Sequence, residues 1–504
     1  MKRLIAVVLA LAILTTLFAI PASAQTPYEG YNYNSWKESV PAPTGYMPDE
    51  YFAGRDYECG DFSNPQDIFI GDDDIVYVTD TGNSRIVKFD LEMNYLGVID
   101  SFTQGEEKIT FKNPEGMYVS EDGSVFVADT GNGRVLIANP DLTLRSIITK
   151  PVNSDVYEQT DELIPIKVFS DMSGIVYVLS RSNNKGILTF DEKGNFLAYY
   201  GTSRVKATAE VIAYYFWERF MSDEQRESAV TFTPVEYKSM TYGNDNFVYA
   251  TLFTSSWDNS GQLKKLNPKG IDVVKQRRRF YTDLAYDKTI LGDSEVRIVG
   301  GNRTGSNFID SALNDDCTLI YLLDQSEGKI FVYDNEYNLL YVFGAMGAVT
   351  GQQFGTFLAP IAIEEHDTQV YVLDSEDGSV TTFKQTTFGQ LVTEGISLYN
   401  NGEYAAAVEP WTQVLKLNSN YDVAYISLGK AEYEAGNFEQ ALKYFELAYD
   451  RDGYEDAYVE LRSIKLKKNF GYIFTGIVLV IAAIAIVPRV VRARKKKKAG
   501  GVKA

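Results

Sequence analysis

Two stretches of the chain are near-copies of each other, and their spacing constrains the fold more than any other feature. Residues 76–87 read VYVTDTGNSRIV and residues 125–136 read VFVADTGNGRVL, so matched positions lie 49 residues apart. A fixed period of about this length is typical of repeat architectures, in which each copy is one structural unit packed against its neighbours. The sequence therefore predicts a chain built largely from repeated units.

Each copy has the pattern of two strands joined by a tight turn. β-Branched and aromatic residues alternate with period two, Asp-Thr-Gly-Asn supplies the turn, and an Arg begins the next strand. Apolar segments upstream and downstream predict one further strand on each side. Four antiparallel strands per unit form the blade of a β-propeller.

Weaker copies follow along the chain, each with an aromatic anchor in its second strand. The anchors are Tyr77, Phe126, Tyr177, Tyr249, Tyr321 and Tyr371. Six anchors predict an all-β propeller of six blades over residues 62–388.

The turn pattern Asp-x-Gly-Asn-x-Arg resembles that of the NHL-repeat family of six-bladed propellers. It is sharp in blades one and two and fades later, where Ser180 and Leu252 replace the Asp. A residue required in most blades is explained by blade geometry, with the carboxylate holding its turn and pairing with the basic residue five positions on. We therefore expect a structural role for Asp80, Asn83, Arg85, Asp129, Asn132, Arg134, Asp324, Lys329 and Asp374, and place function in the loops where the copies differ.

Two segments flank or interrupt the propeller. Residues 1–24 read as a secretory leader, and residues 25–61 as an extended arm that lies on the propeller or supplies a strand closing its ring. Residues 205–230 form a predicted helical insertion with Tyr214, Tyr215, Trp217 and Phe220 around it. Two interpretations stay open for this helix: a packed plug, or a lid or docking element that binds a partner.

A second repeat occupies residues 389–469. Gly395, Tyr399, Gly402 and Ala407 are matched 34 residues later by Gly429, Tyr433, Gly436 and Ala441. This pattern resembles two tetratricopeptide (TPR) units, whose small residues let paired helices approach closely. The resemblance implies a small all-α domain and a structural role for these eight residues.

The C-terminal end has the pattern of a membrane anchor. Residues 470–487 carry no charge, the predicted transmembrane helix covers 470–488, and the tail 489–504 holds eight Lys or Arg and no acid. The positive-inside rule places that tail in the cytoplasm and the body outside. We expect a single-pass protein of a bacterial cell membrane.

The charge distribution argues against nucleic acid as a partner. The chain has 48 basic and 68 acidic residues, and ten of the basic ones lie in the leader and the tail. The body is therefore strongly acidic and should repel phosphates.

The sequence offers little for catalysis. His366 is the single histidine, no Gly-x-Ser-x-Gly elbow or Walker loop is present, and Cys59 and Cys317 are expected on opposite propeller faces, unpaired. We expect no enzyme, cofactor or metal. The resemblance leaves one catalytic alternative, a lactonase-like hydrolase with calcium in the central channel, for which the candidates near the inner strands are Asn64, Asp67, Asn113, Glu115 and Glu236.

Together these patterns predict a membrane-anchored extracytoplasmic scaffold. Its expected partners are another membrane or cell-surface protein, such as a transporter or envelope complex, and the lipid bilayer. A sensor of carbohydrate or cell-wall ligands is the first alternative, and the calcium-dependent hydrolase is the second.

Overall fold

The computed structural model describes residues 26–499 except for thirteen internal gaps. The gaps are 35, 37, 153–156, 158–160, 182, 203–235, 253–261, 275–276, 279–285, 288–290, 294–296, 300–301 and 348–352. The leader and the helical insertion predicted over 205–230 therefore lie outside the described residues. The chain divides into two compact units, Met1–Ser397 and Leu398–Ala504.

The first unit is built of β-strands. Up to the end of the second blade they are β1 (Tyr31–Tyr33), β2 (Ser39–Pro41), β3 (Tyr46–Ala53), β4 (Asp67–Ile70), β5 (Ile75–Asp80), β6 (Arg85–Asp90), β7 (Tyr95–Ile99), β8 (Ser101–Gln104), β9 (Glu107–Thr110), β10 (Gly116–Val119), β11 (Val125–Asp129), β12 (Arg134–Ala138) and β13 (Leu144–Ile148). From the third blade to the insertion they are β14 (Pro165–Ser170), β15 (Val176–Ser180), β16 (Ile187–Phe190) and β17 (Phe196–Tyr200).

The remaining strands complete blades four to six. They are β18 (Tyr237–Tyr242), β19 (Val248–Leu252), β20 (Leu263–Leu266), β21 (Arg277–Arg278), β22 (Tyr286–Asp287), β23 (Arg297–Val299), β24 (Asn302–Thr304), β25 (Phe308–Leu313), β26 (Leu319–Asp324), β27 (Lys329–Asp334), β28 (Leu339–Phe343), β29 (Ala345–Met346), β30 (Thr356–Phe357), β31 (Pro360–His366), β32 (Gln369–Asp374) and β33 (Ser379–Gln385).

Six antiparallel sheets confirm the predicted six-bladed propeller. Blades one, two, three and five are the four-stranded sheets β4–β7, β10–β13, β14–β17 and β25–β28, and blade four has β18–β20 within the described residues. The six anchor aromatics all lie in the second strand of their blade. Each first strand contacts the first strand of the next blade, and β31 of blade six contacts β4 of blade one, so the ring is closed.

The N-terminal arm closes this ring. Blade six has the strand order β3-β33-β32-β31, so its outermost strand comes from the start of the chain and its other three from the end of the propeller. β3 pairs with β33 from Tyr46 opposite Gln385 to Ala53 opposite Ser379. The arm thus covers an edge that would otherwise expose unpaired backbone groups.

Apolar side chains between neighbouring blades form the core. Buried clusters lie between blades one and two, two and three, three and four, four and five, and six and one. In the last of these, Val78 of blade one packs with Tyr371 and Val380 of blade six. Burial of these alternating positions is what selects the strand register.

Five helices follow the propeller, and α1 (Thr387–Asn400) begins in the first unit and ends in the second. The others are α2 (Tyr404–Leu417), α3 (Asp422–Glu434), α4 (Phe438–Leu447) and α5 (Arg451–Ala499). Within the second unit α2 packs on α3, α3 on α4, and α4 on the start of α5.

Helix α5 is 49 residues long and covers both the end of the predicted repeat domain, which extends to residue 469, and the predicted transmembrane span 470–488. The change from charged to apolar composition falls inside one continuous helix, although the apolar part contains Gly471 and Gly476 and ends at Pro488. Its apolar part is unburied, and by length and composition α5 is a candidate membrane-spanning helix.

Candidate functional site

The innermost strands place one residue of each blade at the same register position. In blade one this residue is Asp67, which pairs with Thr79, the residue just before Asp80 of the turn motif. The other five residues occupy the same position in their blades. The six residues are Asp67, Gly116, Lys167, Ser239, Asp310 and Ala362. They form one layer of the central channel, which we call the axial layer.

Lys167 connects the charged members of this layer. Its Nζ lies 2.5 Å from Asp67 Oδ1 in blade one and 3.6 Å from Asp310 Oδ2 in blade five. A lysine of blade three therefore reaches carboxylates of two other blades.

The other blades contribute hydrogen bonds to the same carboxylates. The backbone N–H of Met117 in blade two donates to Asp67 Oδ2 at 3.2 Å, and that of Ile363 in blade six donates to Asp310 Oδ2 at 3.1 Å. Ser239 Oγ in blade four donates to Asp310 Oδ1. All six blades thus meet in one polar network.

Burial governs the protonation of this network. Asp67 and Asp310 are 1% and 2% exposed. Burial raises the pKa of Asp67 to about 6, although the Lys167 ammonium acts in the opposite direction. Burial alone would lower the pKa of Lys167, but Asp310, Asp67 and Glu364 outweigh it and hold this pKa above its usual value, so the ammonium stays charged.

A third carboxyl group belongs to Glu364, which lies on β31 two residues after Ala362 of the axial layer. Burial raises its pKa well above the usual value, and the neighbouring Asp310, Asp67 and Glu365 act in the same direction, against Lys167. Glu364 therefore favours its protonated form more strongly than an ordinary carboxyl group does.

The motif aspartates tie each blade to the segment before it. Asp80 is fully buried, and its carboxylate accepts from Ser63 N–H at 2.7 Å, Asn83 Nδ2 at 2.8 Å and Arg85 Nε at 2.7 Å. In blade two, Asp129 accepts from Lys112 N–H at 2.7 Å, Asn132 Nδ2 at 2.9 Å and Arg134 Nε at 2.7 Å. The left-handed residue of each turn is Ser84 or Gly133, one position after the Asn of the motif.

Blades five and six keep the aspartate and its hydrogen bond from the backbone of the preceding segment, while Lys329 and Ser379 stand where blades one and two have Arg. Asp324 accepts from Asn307 N–H at 3.0 Å, and Asp374 accepts from Leu358 N–H at 2.6 Å. The predicted pairing of Asp324 with Lys329 is wrong, because Lys329 Nζ instead lies 2.8 Å from Asp293 Oδ2. Tyr31 of the arm also donates to Asp293, so this lysine helps to hold the arm.

Blade three has Ser180 in place of the motif aspartate. Ser180 accepts from Ile164 N–H at 2.9 Å, and Lys185, which takes the Arg position, binds Asp161 at 2.8 Å. A cavity of about 290 Å³ lies here, lined also by Tyr157, Arg181 and Asn183.

The lactonase candidates do not converge. Asp67 belongs to the axial layer, whereas Asn64 accepts from Gln66, Asn113 donates to the carbonyl of Thr81, and Glu115 pairs with Arg181. Glu236 is half-buried just before β18. Among the described residues, no three His, Cys, Asp or Glu side chains lie close enough together to hold a metal ion.

Other predicted residues fall elsewhere. Tyr214, Tyr215, Trp217 and Phe220 lie outside the described residues. His366 ends β31, 3.4 Å from Asp74, and Cys59 and Cys317 are both free.

The matched positions of the 34-residue repeat have similar environments in α1 and in the second unit, which we call the helical unit. Gly402 and Gly436 both have positive φ, and their N–H groups donate to Tyr399 and Tyr433 respectively. Ala407 and Ala441 are fully buried, and Gly395 and Gly429 are buried within their helices. A Cβ at Gly429 would lie 2.6 Å from Phe445, so a close helix contact depends on this glycine.

Comparisons with known proteins agree with the propeller fold. The SMP-30/Gluconolactonase/LRE-like region matches residues 68–156, which span blades one and two. No curated protein matches the chain.

Solved structures give distant similarities. Virginiamycin B lyase from Staphylococcus aureus, solved in an inactive form with quinupristin, is 10% identical with a TM-score of 0.37 and covers 64% of this chain and 80% of its own. The Cps50 (Swd1) propeller domain of Myceliophteria thermophila gives 10% identity and a TM-score of 0.37, covering 64% of this chain and 98% of its own. A protein of unknown function from Bacteroides thetaiotaomicron gives 12% identity and a TM-score of 0.37, covering 70% and 76%.

Proposed function

We propose that this chain is a membrane-anchored binding protein that presents its propeller and helical unit outside the cell to another membrane or cell-surface protein. The observation that carries the proposal is the axial layer, in which the charged side chains of the channel bind one another. A hydrolase would need such groups directed at a substrate instead.

The helical unit supports a binding role. Its matched glycines, alanines and aromatics occupy equivalent places in two helical repeats, as in TPR units, which serve mostly as platforms for protein partners. Leu417, Leu447 and Tyr449 are each more than half exposed on this unit and offer apolar contact area.

Helix α5 supports the anchoring. It passes without interruption from the contact with α4 into the uncharged stretch of residues 470–487, and a run of Lys and Arg follows. By the positive-inside rule, this order supports a cytoplasmic basic tail and an extracellular propeller.

The proposal is tested in intact cells of the source organism. Mild crosslinking should join the full-length protein to one specific membrane or surface protein, and deletion of residues 390–470 with the anchor retained should abolish that product. Protease added outside should digest the propeller and spare the basic tail. An unchanged crosslinking pattern after the deletion, or a protected propeller, would contradict the proposal.

Two other functions give different results. A carbohydrate or cell-wall sensor predicts that one class of glycan raises the melting temperature of the propeller. A lactonase-like enzyme predicts hydrolysis of lactones that calcium supports and EDTA abolishes.

A further inference from the structure

The axial layer contains a positive charge where a propeller of the lactonase type would place a metal ion. The Lys167 ammonium group lies 2.5 Å from Asp67 Oδ1 and 3.6 Å from Asp310 Oδ2. The residues present do not fit calcium, because this ammonium already lies within 3.6 Å of both carboxylates, while Asn113 and Glu115 bond to Thr81 and Arg181 instead.

We infer that the axial layer is a cation-binding site that the chain fills with its own Lys167 side chain. The ligand class of the site is an alkylammonium ion, which the protein supplies from blade three. The inference goes beyond the proposed binding function and does not depend on it.

The carboxylates are oriented by groups other than the lysine. Met117 N–H fixes one oxygen of Asp67, while Ile363 N–H and Ser239 Oγ fix the two oxygens of Asp310. The site is therefore built by blades two, four and six, and it should persist when the lysine is shortened. A preformed pair of buried carboxylates without a cation is costly, because each charge has lost its hydration.

The site can also be reached from solvent. The Lys167 side chain is 18% exposed, whereas those of Asp67 and Asp310 are 2% and 3% exposed. A small cation that enters along the channel can therefore take the place of a missing ammonium.

The test is chemical rescue of Lys167→Ala in the full-length protein in detergent, followed by thermal unfolding at pH 7.5. We expect the variant to melt about 5 °C or more below the wild type, because two buried carboxylates lose their counterion. n-Propylammonium replaces the atoms removed and should restore at least half of this loss. Tetramethylammonium at equal ionic strength cannot donate hydrogen bonds and should restore much less.

Wild-type protein is the control for a metal site, and its melting temperature should change with neither calcium nor EDTA. The inference is overturned if Lys167→Ala melts like the wild type, if tetramethylammonium rescues it as well as propylammonium does, or if calcium stabilises the wild type at a stoichiometric concentration.

A second pair of variants keeps the test decisive if Lys167→Ala does not fold. Lys167→Met retains the aliphatic stem without the charge, and the triple variant Asp67→Asn, Lys167→Met, Asp310→Asn also removes both negative charges. The triple variant should fold and melt well above Lys167→Met. If neutralising the carboxylates brings no gain over Lys167→Met, the layer does not require a cation and the inference is wrong.

Discussion

The hydroxyl groups of Tyr46 and Tyr321 lie 2.9 Å apart and share a hydrogen bond that joins blade six to blade five. Tyr46 is on the closing strand β3, is fully buried, and stacks on Phe343 with ring centroids 4.9 Å apart. Gln385 Nε2 donates to the same hydroxyl at 3.0 Å. The closing strand is thus fixed by a specific side-chain network in addition to its backbone ladder.

We expect Tyr46→Phe to lower the free energy of unfolding by about 1–2 kcal/mol, because Tyr321 and Gln385 each lose a buried partner. Tyr46→Ala should cost about 3–5 kcal/mol through loss of the packed ring. Denaturant unfolding gives both values. Glu50→Gln, at an exposed position of the same strand, is the control and should change stability by less than about 0.5 kcal/mol. Equal effects at positions 46 and 50 would contradict this account of the closure.

The motif aspartate of blade one gives a second prediction. Asp80→Asn removes a buried charge that binds Arg85, and we expect a loss of about 3–5 kcal/mol. The double variant with Arg85→Met should lose about 1–3 kcal/mol less than the sum of the single losses, because the two residues act as one unit. Denaturant midpoints of the four proteins measure this coupling. Asp56→Asn, which is exposed, serves as the control; additive effects would show that Asp80 and Arg85 act separately.

The buried carboxyl group of Glu365 should make the stability of the propeller depend on pH. It is 8% exposed, and burial together with the facing Asp315 and Asp367 raises its pKa to about 8, while the backbone N–H of Thr368 donates to it and acts in the opposite direction. Tyr46, Tyr321 and Tyr341 also face it. Because the folded pKa lies above the unfolded value, the folded state binds the proton more tightly, and stability falls as pH rises from about 4.5 to 8.

Glu365→Gln removes this titration and keeps an oxygen for the bond from Thr368. The variant should be more stable than the wild type by about 1 kcal/mol or more at pH 8, with the difference vanishing near pH 4.5. Melting temperatures across this range provide the measurement, with the exposed Glu106→Gln as the control. A difference independent of pH would show that Glu365 is not protonated in the folded protein.

The helical unit gives a prediction on packing. A Cβ at Gly429 would lie 2.6 Å from Phe445 Cε1, and one at Gly453 of α5 would lie equally close to the same atom. Gly429→Ala should therefore destabilise the unit by about 1–3 kcal/mol in spite of alanine's higher helix propensity. In a protein that already carries Phe445→Leu, Gly429→Ala should cost less stability than it does in the wild type. Thermal unfolding of the four proteins measures this difference. If Gly429→Ala costs the same in both backgrounds, contact with Phe445 is not the source of the destabilisation.

Periodic features were predictable from the sequence. The six anchor aromatics repeat in register with buried strands, so the blade number followed from spacing alone. The arm was expected to lie on the propeller or to close it, and the pairing of β3 with β33 shows that it closes it.

The axial layer was not predictable in this way. Asp67 and Lys167 are 100 residues apart, and only ring closure brings them together. One signal was nevertheless present, because Lys167 and Asp310 are each the single charged residue of an inner strand, where an isolated buried charge requires a partner. Lys329 was assigned to Asp324 because spacing within one blade cannot reveal Asp293, which comes from the segment between two blades.

Closure by β3 also bears on how the protein is made. Tyr46 contacts Gln385, which is 339 residues further along the chain. Strand β3 therefore leaves the ribosome long before its pairing partner β33 is synthesised. During that interval its backbone groups and its buried tyrosine are open to wrong pairings. The N-terminal segment therefore stays without its pairing strand until synthesis of the propeller is complete.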